Sequence, residues 1–568
     1  MAEQAKKIWI PKSSVNRRQF IVGSSAAATA LTLAACTDDK KSTSNTEASD
    51  TTAAGVDTTL PAVKAGGILR VGTLGGSNDL MDGQHIISKA DIMRCVTGWE
   101  GLLNFNPAYE VVNEYGLADD VEAVAADHYI IHLREGVLFH DGKPVTADDV
   151  VYSFNRLLDP DLAVFGGSAM RPILAPAGIT KVDDLTIDIT LKQLVSNFKE
   201  ALCAYTTCVV PVDYARFDGD PTTQIGTSAY KLDSFEVGVQ SIHSRFDDHW
   251  RGKGSFDEVH IIDFADGDAM INALIADQID CAADIPATAV ETLQGQDLGV
   301  LNAAGGGWLT IFMAVDIAPF DDVRVRQAMR LIVDRQQMVD QVLAGFGSVA
   351  NDLFAPLDAA YIGDELAQRD QDIPAAMALL ADAGQANLTV DLLAPNDTAG
   401  LPEMIQAFST MAADAGITVN PVVMDGSYWG DEYLKRPFGV DYWGTRNFLA
   451  QVASSSLPTA PYPDDHWPNG IDATLAATLG VPETHVRPES TFLTDYNDAV
   501  GEVDPVKRKV ITDKMQNELY NEGGLIIPFF QNQLDGFNKR VVGLVERANT
   551  LNLDHYGRGW QDLSFAAD

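Results

Sequence analysis

The chain has 568 residues, 46% of them hydrophobic, and a formal net charge of −40. This apolar content excludes wholesale disorder, and the length implies roughly three or four domain-sized units. The acidic excess leaves no basic stripe for a nucleic-acid partner, so none is expected; the charge reads as a well-solvated surface, with selection for a cationic ligand as the alternative.

The N-terminus runs Asn16-Arg17-Arg18-Gln19-Phe20-Ile21, then mildly apolar to Leu33-Ala34-Ala35-Cys36. A twin arginine, an apolar run too short to span a bilayer and small residues before a cysteine describe an export signal. The arrangement resembles a twin-arginine lipoprotein signal, residues 1–36. That resemblance implies cleavage before Cys36 and diacylation of its thiol; an ordinary secretory signal with an incidental cysteine is the alternative. Residues 37–65 are mostly small and polar without apolar periodicity. They read as a flexible linker that holds the body roughly 30 Å from the membrane, at ~5–6 Å × √n for a coil. No later stretch reaches the ~18 uninterrupted apolar residues of a spanning helix.

Beyond Cys36 the cysteines are Cys95, Cys203, Cys208 and Cys281. Cys203 and Cys208 could close a small disulfide loop or remain buried thiols. No C-x-x-C occurs, so neither a redox motif nor a zinc ribbon is indicated.

After Gly66, residues 67–74, 128–139 and 184–192 read as strands. Residues 321–347 read as a helix pair, with Val325, Met329, Ile332 and Val333 on one face of the first and Met338, Val339, Val342 and Leu343 on one face of the second. Residues 373–384 form a further helix with Pro near its start and Gly past its end. Mixed elements over this length imply α/β layers. Within 139–154, His140, Asp141, Asp148 and Asp149 could be a metal site, an acid–base pair or scaffold. Asp141-Gly142 is a turn signal, and Thr146 stands three residues before Asp149 as in a capping box. A lone histidine makes no metal site. Scaffold is expected, with no metal and no cofactor.

The stretch LREGVLFHDGKPVTADDVVYSFNRL (133–157) resembles the signature of the extracytoplasmic solute-binding proteins of peptide, oligopeptide and nickel ABC importers. IGTSAYKL (225–232), DDHWRG (247–252), ALIADQID (273–280), APFDDVRVRQAMRLIVDRQQMVDQVLAGFG (318–347) and ALLADAG (378–384) resemble further blocks of that family, in its order. The resemblance covers roughly residues 66–540. It implies an α/β, two-lobed periplasmic-binding-protein (Venus-flytrap) fold of the large cluster C type with an extra domain. Lobe I would comprise 66–110, 225–302 and 525–568, the extra domain 111–224, and lobe II 303–524. A ligand between the lobes stabilises the closed state because only there does it touch both.

The same resemblance names candidate contacts. Glu100, with Trp99 beside it, matches an acidic cleft position; a core Trp next to a solvated Glu is the alternative. Tyr428 and Trp429 stand where the family often has a cleft aromatic, and aromatic walls accept varied side chains. Trp443 matches a cleft tryptophan after which peptide receptors place an Asp for the ligand's α-amino group. Here Arg446, Asn447 and Phe448 follow instead, so Arg446 is a candidate for a ligand carboxylate, or else for a structural salt bridge. Trp308 lines the lobe II side or packs in the core.

Gly345-Phe346-Gly347-Ser348-Val349-Ala350 fits G-x-G-x-x-A but follows a helix, so it reads as a helix stop. No P-loop, H-E-x-x-H or G-x-S-x-G motif is present, and no enzyme is expected. The expected function is capture of a peptide or peptide-like solute by a monomer, lipid-anchored outside the cytoplasmic membrane, for delivery to the permease and ATPase subunits of an ABC importer. The rivals are the same fold with an oligosaccharide, metal chelate or modified amino acid, a secreted hydrolase, and an envelope sensor.

Overall fold

The computed structural model describes residues 63–567, apart from 87, 163, 165, 166, 397, 458, 459, 469–489 and 547–558. The signal peptide, Cys36 and nearly all of the linker lie outside the described residues. The linker's last positions differ from expectation: Val63 and Lys64 pair antiparallel with Ala566 and Phe565. Two β-capable residues beside an available edge are enough to extend a sheet.

Alternation in the strand Ile68–Leu74 buries Leu69 and Val71 completely. That strand lies within the largest sheet, whose order is 438–443, 299–313, 529–537, 281–282, 68–74, 258–264, 240–245 and 230–236. Its pairs with 258–264 and 281–282 are parallel. The strand Gly299–Met313 carries the sheet from one half of the body into the other. Its first residues pair with 533–537 and its last six with 438–443. Between Ala303 and Gly307 the register shifts. Glycine is required there: a Cβ on Gly305 would come within 2.3 Å of the Gln531 carbonyl oxygen. A bulge at this point bends the strand where the expected lobe boundary falls.

A four-stranded antiparallel sheet, in the order 118–125, 128–133, 186–190 and 179–183, carries the helix Ala147–Leu158. Val150, Phe154 and Leu157 seal the helix to the sheet, all at most 2% exposed. The capping box forms, with the Asp149 carboxylate accepting the Thr146 N–H at 2.9 Å. Asp148 pairs with Lys181 at 2.8 Å, and Asp141 accepts the Lys143 N–H at 3.1 Å. The His140 Nδ1 accepts the Gly226 N–H, and its Nε2 lies 2.9 Å from the Ser228 carbonyl. Burial pushes His140 down to about 4. All four side chains serve the scaffold, and no cluster of metal-ligating residues exists among the described residues.

The helix pair forms as Val323–Leu331 and Arg335–Val342, with Val325, Met329, Ile332, Val333, Met338 and Val339 buried; Val342 and Leu343 pack at the margin. The body holds several distinct apolar cores. One gathers residues from Leu102 to Val209, another joins 69–301 to 541–563, and a third spans Leu309 to Phe529. The thiols of Cys203 and Cys208 donate to different carbonyls, those of Lys199 and Gly83. Among the described residues no helix is long and apolar enough to cross a membrane.

Candidate ligand cavity

The strand Phe438–Trp443 and the short helix Tyr428–Asp431 place three aromatic side chains, Trp429, Tyr442 and Trp443, around one cavity of about 310 Å³. Trp429, Tyr433, Asp441, Tyr442, Trp443, Gly444, Arg446 and Tyr462 line it. Edge strand alternation turns Tyr442 outward at 53% exposure while Trp443 faces inward at 6%. The rings stand nearly perpendicular: Trp429 to Tyr442 at 74°, Trp429 to Tyr433 at 75°, and Trp443 to Tyr462 at 75°. Such edge-to-face contacts hold the walls in fixed orientations.

Arg446 reaches this cavity from the turn after Trp443, before the helix Phe448–Ser455. Its guanidinium lies over the Trp443 ring, 4.8 Å from the centroid, and one N–H donates to Ser454 Oγ at 2.8 Å. Among the described residues it has no carboxylate in ion-pair range. Burial lowers its pKa, against the opposing pull of Tyr462 and Asp441. An arginine held this way keeps most of its five donors for an anion.

One buried carboxyl, Asp441, lines the cavity, and a second, Asp464, stands behind it. The Tyr433 hydroxyl and the Tyr442 N–H both donate to Asp441, which is 4% exposed. Burial raises Asp441 to about 7, with hydrogen bonds from Tyr433 and Tyr442 pulling the other way. Behind it Asp464 is raised further, first by burial and then by the charges of Asp465 and Asp441. A hydrogen bond from the Trp443 side chain opposes the upward shift of both carboxyls.

A hairpin from earlier in the chain lies within electrostatic reach of Arg446. Tyr109 stacks on Phe105, centroids 4.2 Å apart, at the tip of the hairpin joining Asn104–Phe105 to Val111–Val112. Its backbone takes φ +64°, an uncommon conformation for a bulky residue. Its buried hydroxyl feels Asp358, Cys203, Glu200 and Arg446. Nearby, Ser196 N–H donates to the Val500 carbonyl at 2.9 Å, and Asn197 meets Asn447 at 3.2 Å. These contacts close residues of the first 200 onto the 447–508 region.

Three sequence-predicted residues therefore meet at one site: Trp429, Trp443 and Arg446. Four do not line it. Trp99 is 1% exposed, donates its indole N–H to the Ile225 carbonyl and packs on Tyr214. Glu100 is buried at 7% and accepts from Trp250 Nε1, with His249 Nε2 3.1 Å away, so its oxygens are committed within lobe I. Trp308 lies behind the wall, stacked between Phe354 and Trp443. Tyr428 is 1% exposed and its hydroxyl bonds both the N–H and the carbonyl of Val440. Sequence reasoning missed Tyr433, Asp441, Tyr442, Tyr462 and Asp464. The signal for Asp441 was present as an acid inside the apolar run Phe438-Gly439-Val440-Asp441-Tyr442-Trp443.

Comparison with known proteins places this site in context. The chain is 29% identical over 367 residues to heme-binding protein A of Haemophilus influenzae, covering 58% of this chain and 66% of that protein. It is 28% identical over 344 residues to the dipeptide-binding protein of Escherichia coli, covering 54% and 62%. The match thus spans somewhat under two thirds of these relatives' length. Among solved structures, HbpA2 from Haemophilus parasuis superposes with a TM-score of 0.74 at 20% identity, covering 88% of this chain and all of that one. AppA from Bacillus subtilis, solved with a nonapeptide, gives 0.63 at 18% identity, over 89% of this chain and 100% of AppA. The fold is the two-lobed α/β architecture of these binding proteins. The model of the bacterial extracellular solute-binding proteins, family 5 Middle, matches residues 114–458, and the chain belongs to that family.

Proposed function

We propose that this chain is the solute-binding component of an ABC importer, capturing a peptide or peptide-like solute between its lobes and releasing it to a membrane permease. One observation carries the reading. A cavity walled by Trp429, Tyr442 and Trp443 presents Arg446, which has no ion-pair partner among the described residues, beside the buried Asp441 carboxyl, with Asp464 set behind it. Arg446 suits a carboxylate, while Asp441 and Asp464 suit an ammonium group. The acids are not where peptide receptors place theirs, after the tryptophan; they come from two residues before it and from a separate loop. The chain performs no covalent chemistry in this reading, and separate ATPase subunits power transport. Acylation of Cys36 tethers the body to the outer face of the cytoplasmic membrane.

Mass spectrometry of the small molecule that copurifies with the chain tests the proposal. A stoichiometric, chemically unaltered solute with opposite charges at two ends is expected. A product of hydrolysis, or a body that retains nothing and binds no member of a peptide panel, overturns it.

A further inference from the structure

The ring geometry of the cavity bears on which cation it takes, and this inference rests on the binding reading above. A primary ammonium carries three N–H donors, each needing an acceptor once out of water. The lining has few to give. Each oxygen of Asp441 already accepts one hydrogen bond, from Tyr433 and from the Tyr442 N–H, which leaves it a single lone pair apiece for three donors. Asp464 stands behind, fully buried, and does not line the cavity. The cavity wall is made instead of ring surface from Trp429, Tyr433, Tyr442, Trp443 and Tyr462.

Perpendicular indole and phenol rings with a carboxyl set behind them stabilise positive charge through the ring quadrupoles and through space, without hydrogen bonds. An alkylated ammonium has no donor to strand and offers methyl groups to fill the space between rings. The wall already shows its preference: the Arg446 guanidinium lies face-on to Trp443. That same guanidinium supplies the anion site at the Trp443 end of the cavity. About 310 Å³ suits a compact solute rather than an extended chain.

We propose that the cavity takes a small betaine-type zwitterion, its alkylated ammonium held between the rings of Trp429 and Tyr442 and its carboxylate on Arg446. No bond is made or broken, and the cargo leaves as it came.

The test is isothermal titration of the purified full-length chain with trimethylglycine and γ-trimethylaminobutyrate, against their unmethylated parents glycine and γ-aminobutyrate, with trialanine as the peptide control. At least one methylated probe binds about 10-fold more tightly than its parent. Trp429→Ala removes that difference, and Arg446→Gln weakens both members of the pair equally. Parent amines or trialanine binding as tightly as the methylated probes overturn the inference while leaving solute capture intact. Absence of binding by every probe also overturns it, and the copurified solute then shows separately whether solute capture itself stands. Thermal unfolding of Trp429→Ala confirms that the variant is folded.

Discussion

Lobe I and lobe II each set a tryptophan close to a buried acid, and the two pairs have opposite fates. Trp99 and Glu100 form a closed circuit, in which the indole N–H has the Ile225 carbonyl and the carboxylate has Trp250 and His249. Trp443 and Asp441 form an open one, which borders a cavity, with Arg446 over the indole and Tyr442 reachable by solvent. The difference teaches what separates a stability element from a binding element. Both are buried and aromatic; only the second adjoins polar capacity, the donors of Arg446, that the described residues use only in part.

The comparison breaks most visibly under truncation of the closed circuit. Trp99→Ala removes a fully packed indole and is expected to cost about 3–5 kcal/mol of unfolding free energy, read by denaturant melts, with guest affinity unchanged. Glu100→Gln leaves buried donors with a poorer acceptor and should cost about 1–3 kcal/mol, again without touching affinity. If either variant abolishes binding while folding normally, Trp99 and Glu100 belong to the site after all. Trp429→Ala inverts the pattern. Its ring is only partly buried, so stability should change by about 1 kcal/mol or less, while affinity for the copurified solute falls about 10-fold by titration calorimetry.

Much of the fold was legible because its signals are local. Thr146 and Asp149 announce a capping box, and the 321–347 pattern announces two helices whose core faces came out as read. The hinge-like bulge was harder: Gly305-Gly306-Gly307 is visible in sequence, but that Gly305 must clear the Gln531 carbonyl depends on a partner 226 positions away. The site was half legible. Trp429, Trp443 and Arg446 share a chain neighbourhood and a family pattern. Asp464 and Tyr462 arrive from a later loop, and nothing in their own surroundings marks them. Trp99, Glu100, Trp308 and Tyr428 misled because burial with a satisfied partner and burial against a ligand share one residue type.

The smallest effect concerns pH. Asp441 has an ordinary value of 3.8 and is raised to about 7 by burial. The acid form is the one the folded state favours, so its contribution is complete below about pH 4 and is lost as pH rises through 7. Wild type should therefore lose stability relative to Asp441→Asn between about pH 4 and pH 7, with the difference read from paired thermal melts. A difference that stays constant, or that runs the other way, means Asp441 is already ionised in the folded chain.

The most direct test of solute capture is calorimetric titration of the copurified solute into three proteins: wild type, Glu100→Gln and the double variant Trp429→Ala with Arg446→Gln. One guest per chain in wild type, the same affinity in Glu100→Gln, no heat from the double variant and no chemical change in the recovered solute is the predicted outcome. Full-strength binding by the double variant, or a guest recovered in altered form, contradicts it.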